Sequence, residues 1–225
     1  RYDEFANQAL QGEAPGSSVG GEQCKFAVDV AQTGDRRAVL VKFSTHDTAE
    51  LGRRWSDLLI CEYLALQVLG AHGLPVSQAA LLQTPQRTYL EMTRFDRVPR
   101  ATTATHLGRR GVVSLGGVDN EWVGQRRSWA ATAQALAAQK RLSHADAQRI
   151  TLLEAFGKCI ANSDMHFGNV SLYPDEHLQQ FTLAPVYDML PMYYAPSNGV
   201  VIPRAPMPAA PAAERRQQIG GELEG

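Results

Sequence analysis

Residues 161–169 read Ala-Asn-Ser-Asp-Met-His-Phe-Gly-Asn, and a second carboxylate follows at Asp188 within Pro-Val-Tyr-Asp-Met. Asp164 and Asn169 stand at the D-x-x-x-x-N spacing in which a carboxylate positions an attacking hydroxyl and an amide oxygen holds a metal ion. Asp188 comes nineteen residues after Asn169, room for a short hairpin that returns the chain to the same loop. The fold that suits these segments is one that gathers a helix end, a loop and a hairpin around one point. A base, an amide oxygen and a carboxylate are then available for metal-dependent phosphoryl transfer from ATP. In that reading Asp164 accepts or orients the hydroxyl proton, Asn169 and Asp188 hold Mg2+, and Asn162 and His166 organise the loop by hydrogen bonds. Magnesium keeps several waters, so two protein ligands suffice. An ordinary polar turn after a helix is the plain alternative for residues 161–169, since a lone D-x-x-x-x-N recurs by chance. Asp188 at a strand end is what separates the two readings.

The bulk composition excludes several other classes. A net charge of −1 gives no global signal for nucleic acid or an anionic membrane. The three cysteines, Cys24, Cys61 and Cys159, are odd in number and far apart, which argues against a disulfide framework or a zinc site and for reduced thiols in the cytosol. No apolar run approaches the roughly 20 residues of a membrane helix, and the N-terminus has no signal-peptide pattern. A cytoplasmic protein is expected. The chain opens on Arg1-Tyr2-Asp3, as a piece of a longer protein would.

Local patterning places these residues on elements. Residues 1–16 predict a short helix and a Gly/Pro turn, and residues 17–25 a small, polar loop. Alternation predicts strands at 26–30 and 37–43, joined through Thr33-Gly34-Asp35. Leu58, Leu59, Tyr63, Leu66 and Leu69 recur at helical spacing over 56–71, with Ser56 or Asp57 as the cap and Gly70, Gly73 and Pro75 at the end. Strands follow at 79–83 and 87–92. Residues 100–117 show no period and read as a loop or insertion. Helices resume near Asn120, with an Ala-rich segment at 128–140 and a helix from Ser143 to about Ile160 that delivers the 161–169 loop. Strands at 170–173 and 181–183 flank a turn at Pro174-Asp175. The whole is α+β: a two-lobed, protein-kinase-like plan with a β-rich N-lobe over 1–93, a hinge at 94–97 and a mainly helical C-lobe over 98–225.

Further residues fit around the same chemistry. Lys42, at the end of a strand in Val-Leu-Val-Lys-Phe, is placed to meet the α/β-phosphates. A lone strand lysine is more often at the surface, but the loop before it and the helix after it favour the phosphate reading. Glu62, inside the apolar-periodic helix, is its candidate ion-pair partner, with Glu50 a rival. The 17–25 loop offers backbone N–H groups at Gly20 and Gly21, with Ser18 and Lys25 nearby. It matches neither the Walker pattern nor G-x-G-x-x-G. Thr93 and Phe95 lie in the hinge, where backbone groups meet adenine. Phe95 packs on the ring or fills core.

Three motifs together resemble the HipA-like serine/threonine kinases of bacteria. Residues 18–25, Ser-Val-Gly-Gly-Glu-Gln-Cys-Lys, are similar to that family's S-x-x-G-x-Q-x-K loop. Arg94-Phe95-Asp96-Arg97 is similar to its R-F-D-R hinge. Asn162, Asp164, His166 and Asn169 with Tyr187-Asp188-Met189 are similar to its N-x-D-x-H-x-x-N and Y-D-M/L motifs. The resemblance implies a kinase fold, ATP and Mg2+ as cofactors, and phosphorylation of protein serine or threonine. It also implies a toxin paired with an antitoxin protein, growth arrest through a target such as an aminoacyl-tRNA synthetase, and autophosphorylation of the loop serine at Ser18. Thr93 stands where the family often has Glu, and the family's N-terminal subdomain is absent from this sequence. Two alternatives stay open: a small-molecule kinase of the aminoglycoside or choline type, and a kinase-like module that docks an antitoxin or its DNA complex. No membrane and no direct nucleic-acid contact by this chain are expected.

Overall fold

A computed structural model describes residues 2–11, 23–32, 35–99 and 107–206. Ser18, Gly20 and Gly21 lie outside the described residues, as does the end of the chain. The elements run α1 (Tyr2–Leu10), β1 (Lys25–Gln32), β2 (Asp35–Phe43), α2 (Glu50–Ala71), β3 (Ala79–Gln83), β4 (Thr88–Thr93), β5 (Arg97–Pro99), β6 (Leu107–Arg109), β7 (Val113–Ser114), α3 (Leu115–Trp122), α4 (Trp129–Ala138), α5 (His144–Cys159), β8 (Ser171–Pro174) and β9 (Phe181–Leu183). The architecture is α+β, and the paired strands are antiparallel.

A four-stranded sheet in the order β1-β2-β4-β3 carries the first part of the chain. Successive side chains of a strand point to opposite faces, and β2 shows what that does. Val39, Val41 and Phe43 join Phe26, Tyr89, Ala6 and Ala9 beneath α1. Leu40 turns instead to the core that α2 covers with Leu59, Leu66 and Leu69, beside Leu90 and Met92 of β4. Lys42, two residues on from Leu40, shares that inner face. On the outer face α1 is tied down by polar contacts: the Tyr2 hydroxyl donates to Glu91, Tyr89 to Asp3 at 2.5 Å, and Arg87 Nη2 to Asn7 at 2.9 Å.

The helix α2 begins earlier than the apolar period indicates, at Glu50. Its first turn is polar (Glu50, Arg53, Arg54) and has no side-chain cap. Backbone bonds from Ala49 N–H to His46 O (3.1 Å) and Arg53 N–H to Ala49 O (3.0 Å) build the start. Residues 107–117, expected as loop, hold β6, β7 and the start of α3. Strands of two or three residues are too short to show a period of two.

Helices α3, α4 and α5 start at serine caps, Ser114, Ser128 and Ser143, each accepting from a backbone N–H three residues on. Leu115, Val118, Ala133, Leu136, Ile150 and Leu153 pack into the same core as Leu59, Leu90 and Met92. The second chain segment touches the first through Ser77 N–H to Val186 O (3.0 Å) and Val186 N–H to Pro75 O (2.8 Å). These bonds hold the strand that leads into Asp188.

Candidate active site

The site forms where β2, α2, the end of α5 and the segment after β9 converge. Glu62 falls on the buried stripe of α2, four residues from Leu58 and from Leu66, so the helix aims it at the inner face of the sheet. There Lys42 Nζ donates to both of its oxygens, at 2.6 and 2.7 Å. Lys42 is 2% exposed and Glu62 0%. Lys42 also donates to Asp188 Oδ1. Glu50, the rival partner, is exposed at the head of α2.

Burial works against the Lys42 charge, yet Glu62 and Asp188 outweigh it and hold the ammonium above its ordinary range. The Asp188 carboxyl is likewise resisted by burial but pulled below its ordinary range by Lys42, with smaller help from Lys25 and His166. For Glu62 burial prevails over Lys42 and pushes the carboxyl up. Lys25 is directly opposite Lys42 in the β1–β2 register. Directly opposed residues share a face of the sheet, so Lys25 lies on the same face as the Lys42 ion pairs.

The loop itself begins with a Schellman-type helix end. Ala161 has a left-handed φ of +57°. Its N–H donates to Lys158 O (3.3 Å), and Asn162 N–H donates to Gly157 O (2.9 Å). The turn fixes Asn162, which then works in two directions. Its Oδ1 accepts from Asp164 N–H (3.1 Å), and its Nδ2 donates to the Asp188 carbonyl (3.3 Å). Asn169 Nδ2 donates to the Asp164 carbonyl at 2.7 Å, which leaves its Oδ1 as the free atom of the amide. His166 Nδ1 accepts from Gly168 N–H at 3.0 Å. Among the described residues, the Asp164 carboxylate and Asp188 Oδ2 have no hydrogen-bond partner. Four oxygens on one connected network, both of Asp164, Asp188 Oδ2 and Asn169 Oδ1, are therefore available to a ligand.

Asp188 carries a positive φ of +53°, a conformation that Asp tolerates better than most side chains at a cost of about 1 kcal/mol. Both of its backbone polar groups are held: its N–H donates to Glu62 Oε1 at 3.2 Å, and its carbonyl accepts from Asn162. Tyr187 beside it donates to the Gly168 carbonyl (2.8 Å) and lies 2.7 Å from Ser171 Oγ. In the sequence this residue has no role of its own; it enters only as the first position of the Tyr187-Asp188-Met189 motif.

The predicted hinge is partly self-satisfied. Arg94 N–H donates to Ala38 O (2.9 Å), and Arg94 and Arg97 both hold the Asp96 carboxylate. Thr93 ends β4 half-buried, with its N–H on Gln78 O at 2.8 Å. Phe95 packs on Tyr187, ring centroids 5.6 Å apart, and edge-on to Tyr173 at 6.2 Å. The ring thus borders the segment that carries Asp188. A separate cavity of about 270 Å³ opens beside the first turn of α2, lined by Asp47, Glu50, Arg53, Arg54, Ser56, Asp57 and Val201. It includes none of these site residues.

The residues present fit a magnesium nucleotide. The free oxygens of Asn169 and Asp188 are of the hard type that Mg2+ takes, and Lys25 and Lys42 are the cations on the same face; among the described residues no group of three or more His, Cys, Asp or Glu is placed to hold a metal ion. No described helix is long and apolar enough to cross a membrane.

The sequence profile of the HipA-like C-terminal domain matches residues 17–219. Toxin YjjJ of Escherichia coli is 40% identical over 198 residues, 88% of this chain and 43% of its own length. Among solved structures, HipA of Shewanella oneidensis, determined with HipB and operator DNA, superposes with a TM-score of 0.60 at 19% identity, over 89% of this chain and 51% of its own. That likeness shows a shared fold. The chain spans about half or less of the length of these relatives.

Proposed function

The chain belongs to the HipA-like C-terminal domain family, and from that premise we propose that it is an ATP- and Mg2+-dependent kinase acting on serine or threonine of a protein. The observation that carries this reading is the buried Lys42–Glu62 pair with half-buried Asp188, joined through Asn162 to Asp164 and Asn169. Bound ATP supplies the γ-phosphoryl group, and Mg2+ offsets the charge on the phosphates. The protein's part is positional and electrostatic. Lys42, held by Glu62, and Lys25 draw the phosphates onto the inner face of the sheet. Asn169 Oδ1 and Asp188 Oδ2 hold the metal. Asp164, its backbone pinned on both sides, leaves its carboxylate to take the proton of the acceptor hydroxyl. Asn162 and His166 keep the loop in shape. The division into a nucleotide-holding part over 1–93, a hinge at 94–97 and a catalytic part over 98–225 belongs to this reading. So do an antitoxin partner, a cytoplasmic location and phosphorylation of Ser18.

The test is transfer of labelled phosphate from ATP to protein in a lysate. Transfer to a discrete band that needs Mg2+ and is lost in Asp164→Ala and Asp188→Ala supports the proposal. Transfer only to small molecules, or none at all by the intact protein, overturns it. Mass spectrometry after incubation with ATP locates any phosphate on the 17–25 loop. Label on a residue other than Ser18 refutes that assignment.

A further inference from the structure

We infer that Gly157 is a positioning residue: the absence of a side chain there seats Met165 and Met189 together and so sets the placement of Asp164 relative to Asp188. This deepens the kinase reading and rests on it for its activity readout.

Gly157 lies in the last turns of α5 and is buried. A glycine inside a helix costs about 1 kcal/mol relative to alanine, so its presence calls for a reason in the packing. A Cβ built on Gly157 would stand 2.7 Å from Met165 Sδ, 2.8 Å from Met165 Cε and 3.4 Å from Met189 Sδ. The two thioethers therefore occupy the space a side chain would take. Each belongs to a different functional segment: Met165 stands between Asp164 and His166, and Met189 directly follows Asp188. The same residue reaches both segments through its backbone, since Gly157 O accepts from Asn162 N–H at 2.9 Å. Asn162 Nδ2 in turn lies 3.9 Å from Met189 Sδ and bonds the Asp188 carbonyl. One helix position thus touches the loop of the proposed base, the residue beside the proposed metal ligand, and the asparagine that links them.

The chemistry of the contact makes this a matter of placement more than of stability. The crowded atoms are the ends of a flexible methionine, which moves aside at little energetic expense. A methyl group at 157 would push the Met165 thioether out of this space, and whatever part of that shift the side-chain rotamers do not absorb passes to the backbone between Asp164 and His166, while the helix gains an alanine. Catalysis is sensitive to shifts of about 1 Å, which cost on the order of 100-fold; binding that uses Lys42 and the sheet is not touched.

The experiment compares Gly157→Ala, Met165→Ala and the double variant with wild type in the intact protein. Gly157→Ala is expected to lower kcat about tenfold, to leave KM for ATP within twofold, and to leave the melting temperature unchanged or raised. In the double variant the alanine methyl has room, so its kcat should equal that of Met165→Ala alone. Independent loss of the two factors, or a kcat of Gly157→Ala within twofold of wild type, overturns the inference. A second readout does not depend on activity. With 13C-methyl methionine, Gly157→Ala should shift the Met165 and Met189 signals and leave Met92 in place. If the wild type transfers no phosphate, the kinase reading falls, while unmoved Met165 and Met189 signals sink the positioning role itself.

Discussion

Replacing Lys42 by methionine removes the cation of the buried Lys42–Glu62 pair while keeping most of its volume. Glu62, 0% exposed, then loses both hydrogen bonds from Nζ and keeps only the Asp188 N–H at 3.2 Å. Stripping one partner from a buried ion pair costs about 3–5 kcal/mol, at least about a fifth of the ~5–15 kcal/mol that holds a typical domain together. The loss depends on pH in a defined direction. Burial already pushes the Glu62 carboxyl up in the wild type, against the pull of Lys42. Without Lys42 the upward push of burial and of Asp188 is opposed only by the hydrogen bond from Asp188 N–H. A carboxyl whose folded pKa is raised binds its proton more tightly in the folded state, so its contribution is fully present below the unfolded value of about 4.3 and is lost as pH rises through the folded value. Lys42→Met should therefore be most destabilised at pH 8 and recover on acidification, by up to about 1.4 kcal/mol per pH unit within that window. In the wild type the raised Lys42 adds a contribution of the same sign in a different window, present throughout neutral pH and lost only in strong alkali. Urea unfolding of both proteins at pH 5.5, 6.5 and 8 gives the difference, and groups common to both cancel. Adding Glu62→Gln to Lys42→Met removes the stranded charge and should restore much of the stability. A difference that is flat across this pH range, or double-variant losses that simply add, would refute a charged, buried Glu62 as the cause.

Two further substitutions test the local geometry. Ala161→Gly relieves the left-handed φ of +57° at the end of α5; that relief of about 1–2 kcal/mol exceeds the added unfolded-state entropy of glycine, about 0.4–1 kcal/mol. A net gain of about 0.5–1 kcal/mol in urea unfolding is expected, and a loss would contradict the helix-end assignment. Gly52→Ala would place a Cβ 2.0 Å from the His46 carbonyl oxygen, a backbone atom that cannot rotate away. A cost of about 3 kcal/mol, or roughly 6–12 °C in melting temperature, should follow, and a shift below about 2 °C would show that the α2 start is wrongly placed.

What the sequence reveals of this site follows from how each residue earns its position. Lys42 and Glu62 are legible because both sit in periodic elements: alternation fixes the face of the strand, the four-residue repeat fixes the face of the helix, and the buried pair at 2.6 Å results. The polar first turn of α2 and the brief strands at 107–109 and 113–114 escape for the opposite reason, since they are built by single backbone bonds that leave no repeat. Asp164, Asn169 and Asp188 are legible by spacing alone, yet spacing says nothing about the Asn162 bridge between them, which depends on Ala161 adopting a left-handed turn that its residue type disfavours. Gly157 is the least legible of all. Within a helical pattern it reads as a mild defect, and its meaning appears only when two methionines, one from each functional segment, are found in the space it leaves. The network that holds the free oxygens of Asp164, Asn169 and Asp188 is therefore encoded less by the polar residues themselves than by two unremarkable small ones, Gly157 and Ala161, at the end of the helix beneath them.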